Sequence, residues 1–109
     1  MSKAAYWQRG ETLDYRNNTA SIIEANTVIK IGTRIGVAGT QINPSEVGSL
    51  HVTGVFEMDK AAAEAITMGT VVYFTGTVIT ATATNNTQTG YAAADAVAAD
   101  ATILVKLLG

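Results

Sequence analysis

The chain has 109 residues, no cysteine, and seven basic against nine acidic side chains for a formal net charge of −2. This length suits one domain and is too short for two with adequate cores, since domains typically run to about 100–150 residues. The charges are spread along the chain, which argues against the basic stripe that displaces counterions from nucleic acid, and the lack of cysteine excludes disulfides and thiolate metal sites.

Residues 1 to 18, "MSKAAYWQRGETLDYRNN", turn polar at once and lack the apolar run of about 7–15 residues that a signal peptide needs. They show no sustained periodicity and are expected to form an extended N-terminal arm ahead of a single β-domain over 19–109. Three of the seven aromatic residues, Tyr6, Trp7 and Tyr15, lie here among Lys3, Arg9 and Arg16. Tyr, Trp and Arg are the types enriched at interface hot spots, whereas disordered segments are poor in aromatics. Tyr6, Trp7, Arg9, Tyr15 and Arg16 are therefore the candidate interface residues.

"TVIKI" (27–31) and "RIGVAG" (34–39) are β-branched runs separated by a Gly-Thr pair, a hairpin signal. "QINPSEVG" breaks the pattern, because Pro44 cannot donate to a strand ladder and Asn-Pro favours a turn. "SLHVTGVFEM" (49–58) alternates, with Leu50, Val52 and Phe56 on one face and His51, Thr53 and Val55 on the other. Gly54, on the inward face, suggests a bulge or a close backbone approach. "DKAAAEAI" predicts a short α-helix over about 59–66, with Asp59 as N-cap, Lys60 paired to Glu64, and Ala62 and Ile66 one turn apart. Two turns are marginal alone, so packing must hold them.

"TVVYF" (70–74), "TVITATAT" (77–84), "GYAAADAV" (90–97) and "ATILVKLL" (101–108) read as further strands, with the polar turn "NNTQT" at 85–89. The last run places Ile103, Val105 and Leu107 on one face and is apolar enough for a central strand. No segment approaches the roughly 18 apolar residues of a membrane span. The expectation is a soluble all-β sandwich or barrel-like domain with one short helix and the arm. No clear internal repeat stands out, although residues 75–102 are biased toward Thr and Ala. Hydrophobic residues make up 48% but aromatics only 6%, so the core is built from small pieces and gains from burying a face against copies of itself.

The residues offer little catalytic chemistry. Glu57, Asp59 and Glu64 form the best acid/base cluster, yet a cap and an i,i+4 ion pair account for the latter two. His51 is the only histidine, which excludes any site needing two imidazoles, and it is expected on a solvent or subunit-contact face. None of Ser2, Ser21, Ser45 and Ser49 lies in a Gly-x-Ser-x-Gly elbow. Glycines 32, 36 and 39 do not make G-x-G-x-x-G, and no P-loop motif exists. The threonines at 75, 77, 80, 82 and 84 suit a half-buried strand. Neither enzyme activity, cofactor nor small-molecule substrate is expected.

The order of these segments, "YWQRGETLDY", "IGVAGT", "GSLHVTGVFEMDKAAAEAITMGTVVYF", the Thr-rich stretch and "ATILVKLL", resembles a family of small capsid decoration, or cement, proteins of tailed bacteriophages, often auto-labelled as recombinases. Its most specific part is the "GVFE" strand, the alanine-rich segment and "MGTVVYF". One departure is "MDK" where the family often has a Pro after GVFE. The resemblance implies a homotrimer on the capsid outer surface, made in the host cytoplasm, that clamps neighbouring major capsid subunits through its arm. A recombination-associated DNA-binding protein is the alternative, for which the lack of a P-loop and of a basic surface offers no basis. Neither nucleic acid nor membrane is expected as a partner.

Overall fold

Short β-branched runs cannot each bury a face alone, and in the computed structural model, which describes residues 2–108, they pair into two antiparallel sheets. The first contains β1 (Thr12–Arg16), β2 (Val28–Ile31), β3 (Arg34–Ala38) and β4 (Val47–His51) in the order β1-β4-β3-β2. The second contains β5 (Thr53–Asp59), β6 (Val71–Phe74), β7 (Ile79–Thr80), β8 (Thr87–Ala92) and β9 (Thr102–Leu108) in the order β5-β9-β8-β6-β7. An isolated parallel bridge between Lys60 and Ile79 brings the two ends of the second sheet together, which gives it a barrel-like closure.

The all-β class expected from the alternating runs is the fold observed. Ile103, Val105 and Leu107 are buried on one face of β9, which lies inside the sheet between β5 and β8. They share a core with Met58, Val72 and Ile79 of the second sheet and with Ile35 and Val37 of the first. Ala38, Ile42 and Leu50 are buried outside that cluster, so the first sheet is covered on both faces. Asn17 is fully buried beside them. Its Nδ2 donates to the carbonyls of Ser21 (2.8 Å) and Ile42 (3.0 Å), and its Oδ1 accepts from the Thr19 amide and hydroxyl.

"SLHVTGVFEM" is one alternating run but two strands. It leaves the first sheet at His51 and enters the second at Thr53, and Gly54, at φ 112°, takes a backbone conformation that side chains disfavour. β2 and β3 form the expected hairpin, with Gly32 at φ 60° in its two-residue turn.

The helix expected over 59–66 does not form. Asp59 is the last residue of β5, paired with Thr102, and Lys60 bridges to Ile79, so neither Asp59 nor Lys60 is free to begin a helical turn. Eight residues make too short a helix to outweigh strand pairing at both ends, whatever alanine's propensity. Lys60 does not pair with the Glu64 carboxylate either. Its buried ammonium donates to the backbone carbonyls of Ala61 and Glu64, while that carboxylate accepts from the Thr80 hydroxyl (2.7 Å) and the Ala81 amide (3.1 Å). The strand expected over 77–84 shrinks to Ile79–Thr80, because the threonine hydroxyls bond nearby backbone instead of leaving it to a ladder.

In place of a helix, the chain uses one turn repeatedly. Ile23 and Ile42 exchange both backbone hydrogen bonds (2.9 and 2.8 Å), as do Ile66 and Ala96 (2.8 Å each). Each of these four residues is followed by a four-residue turn, and a strand begins directly after it for Ile23, Ile42 and Ile66 and one residue later for Ala96. In the turns opening at Glu24, Asn43 and Thr67 the third residue has positive φ, namely Asn26, Ser45 and Gly69, and the fourth amide donates to the first carbonyl. That is the type II signature. The turn from Val97 to Asp100 closes with the same hydrogen bond and is locked by the Asp100 carboxylate, which accepts from the Val97 amide (2.9 Å). The alanine-rich segment is a variant in which Ala63 carries the positive φ. Lys60 supplies the proton that the Ala61 carbonyl accepts.

Candidate functional site

The residues singled out at the N-terminus separate into two groups. Ser2 to Arg9 carry no regular structure and are exposed throughout, with Tyr6 84% and Trp7 89% accessible. The segment joins the body at Glu11, whose carbonyl accepts the Val52 amide at 3.0 Å. Tyr6, Trp7 and Arg9 thus share one uncommitted strand of chain. Tyr15 and Arg16 instead belong to β1, an outer strand of the first sheet, opposite Gly48 and Val47 respectively. As consecutive strand residues they point to opposite faces. Tyr15 is half-buried, on the face that holds Leu13 and Leu50, and Arg16 is exposed.

The carboxylates do not converge. Glu57 accepts from the Thr102 hydroxyl at 3.1 Å, Asp59 is exposed at the end of β5, and Glu64 is engaged with Thr80 and Ala81. Each has its own structural neighbours, and no proton is shared among them. His51, expected on a solvent or subunit-contact face, is half-buried: its ring lies 5.9 Å from that of Phe56, and its Nε2 fills the space where Gly39 lacks a side chain. Among the described residues no three His, Asp or Glu side chains are grouped to hold a metal ion.

Three further surfaces escaped the sequence reading. The outer face of the second sheet carries a cross-strand row of Val55, Lys106, Tyr91 and Val71, with the Lys106 ammonium 6.0 Å from the Tyr91 ring centroid. Leu104 extends the row and, like Val55 and Val71, is exposed. A groove of about 810 Å³ lies between the alanine-rich turn and the 98–101 segment, lined by Ala62, Ala63, Ala98 and Ala99 together with Asp59 and Asp100. A second groove of about 410 Å³ is lined by Lys30 and Arg34 of the β2–β3 hairpin and by Tyr73, Asn86 and Gln88. The repeated turn has its own sequence signal, since "IEANTV", "INPSEV" and "ITMGTV" begin at residues 23, 42 and 66, but the first groove is lined by the alanine-rich variant and the 98–101 segment instead.

These surfaces suit contact with other macromolecules better than chemistry on a bound substrate. No curated protein and no solved structure matches the chain. The family profile described as phage cement protein matches residues 7–107, nearly its whole length, from Trp7 to Leu107 in β9. An all-β body with an exposed aromatic arm agrees with that match, and the chain belongs to the phage cement protein family, whose role is structural and capsid-associated.

Proposed function

We propose that the protein decorates the capsid exterior as a homotrimer and stabilises it by clamping neighbouring major capsid subunits, acting by binding alone. The observation that carries this reading is the arm. An exposed tryptophan and tyrosine beside an arginine, on a segment uncommitted to the chain's own fold, form an anchor that lacks its pocket. In this reading Tyr6, Trp7 and Arg9 dock on the capsid, with Tyr15 and Arg16 of β1 at the margin of the contact. Three arms per trimer act together through effective concentration, so contacts that are weak singly hold firmly when joined.

The test adds purified protein to virions lacking it and measures bound copies by gel densitometry. Trp7→Ala is expected to weaken attachment by about 2 kcal/mol per arm, roughly 30-fold before avidity multiplies it. Equal occupancy by Trp7→Ala and wild type at limiting concentration would overturn the role of the arm. It would shift attention to the open face around Val55 and Tyr91.

A further inference from the structure

The two grooves differ in charge. Residues 25–45, which include the β2–β3 hairpin, contain Lys30 and Arg34 and no carboxylate. Lys30, Gly32, Thr33 and Arg34 are all exposed, and the Tyr73, Asn86 and Gln88 side of their groove is uncharged. Residues 90–105 are the reverse, with Asp95 and Asp100 and no basic residue. Asp100 lines the alanine groove with Asp59, and Val97 beside it is 61% exposed. Lys60 also lines that groove, but its ammonium is turned onto the carbonyls of Ala61 and Glu64. One region of the chain therefore presents cations without anions, and another presents carboxylates over an apolar floor of alanines that has nothing to cover it.

We propose that these two surfaces meet between copies of the chain: the alanine-lined groove bearing Asp59 and Asp100 receives the Lys30 and Arg34 hairpin end of a second copy. This deepens the homotrimer in the reading above and rests on it. Two unlike patches can meet reciprocally across a twofold axis or head to tail, and in a homotrimer the contact runs head to tail and is heterologous. A heterologous contact forms a closed ring when its rotation divides the circle, and a ring of three is the smallest such assembly beyond a dimer. The alanines let the hairpin backbone approach closely and become dry. The opposite charges fix which end meets which, since like-charged ends repel. The arm takes no part in this contact and stays free for the capsid.

The experiment is light scattering coupled to size exclusion on the full chain at micromolar concentration. Wild type is expected at three chain masses, falling toward one as salt rises and screens the contact. Lys30→Glu combined with Arg34→Glu is expected at one chain mass, as is Asp59→Lys combined with Ala99→Lys. The second pair leaves Asp100 in place so that its bond to the Val97 amide survives. Circular dichroism melting separates loss of assembly from loss of fold. The chain carrying all four substitutions has an acidic hairpin end and, with Asp100 retained, a net basic groove, and is expected back at three chain masses. The inference is overturned if the Lys30/Arg34 pair of substitutions leaves three chain masses, or if the fourfold variant folds but stays monomeric. A wild type at one chain mass overturns both the inference and the trimer, while attachment to virions tests the capsid reading separately.

Discussion

At the scale of single residues, positions that look bland in the sequence carry the tightest constraints. Gly90 is one of ten glycines, yet a Cβ there would sit 1.9 Å from the Lys106 carbonyl oxygen on the neighbouring strand. Backbone cannot yield as a flexible side chain does, so Gly90→Ala is expected to cost about 3 kcal/mol or more, read as a lowered urea midpoint or loss of soluble protein. Ala63 is the opposite case. It holds φ 58° with a side chain that disfavours that conformation, by roughly 1 kcal/mol. Ala63→Gly relieves this strain but loosens the unfolded chain, and the expected balance is a stability equal to or up to about 1 kcal/mol above wild type. A clear loss in urea unfolding would show that the turn does not need the left-handed conformation. For comparison, Asn17→Ala removes the side chain that holds a buried network, leaving the Ser21 and Ile42 carbonyls and the Thr19 amide without it, and is expected to cost about 2 kcal/mol or more by the same measurement.

At the scale of elements, strands and the turns between them divide the work. The strands close the core, and the repeated turn sets the entry of β2, β4, β6 and β9. The arm stands outside both. β1 begins at Thr12, after the Glu11–Val52 hydrogen bond that marks where the body starts. Removing residues 2–9 is therefore expected to leave the melting temperature within about 2 °C of wild type, measured by circular dichroism, since it deletes no buried side chain. A larger fall would mean that the arm packs on its own body in solution. The intrinsic fluorescence gives a second readout of the same element. Trp7 is the only tryptophan, so its emission is expected at the long wavelength of a wet indole in the free protein and shifted to the blue on virions.

At the scale of the whole molecule, the chain is more exposed than its mass warrants. Its accessible surface is 6952 Å², against about 5,700 Å² for a compact monomer of this mass. Its radius of gyration is 15.1 Å, against about 13 Å for a globule of this length. The free arm accounts for much of the excess, and the open outer face of the second sheet adds exposed Val55, Val71 and Leu104. A stable interface buries about 800 Å² per partner, so this excess is of the size that one such contact covers. The chain as a whole, arm included, extends 42 × 42 × 23 Å.

The sequence by itself determined the all-β class, the β2–β3 hairpin and the buried face of β9, because alternation with period two and a short Gly-containing turn are local signals that pairing then reinforces. It also marked out Tyr6 and Trp7, whose exposure needs no long-range contact to arise. Tertiary structure alone decided the alanine-rich segment. Alanine's helix propensity is a weak preference summed over few residues, while pairing of Asp59 with Thr102 and of Lys60 with Ile79 fixes both the direction and the end of the chain there. It likewise split one alternating run between two sheets at Val52, buried Asn17 inside what reads as an arm, and brought Ala62 and Ala63 beside Ala98 and Ala99 across more than thirty residues of sequence. Such contacts depend on which strands become neighbours, and that choice is made by the packing of the whole core rather than by any stretch of it.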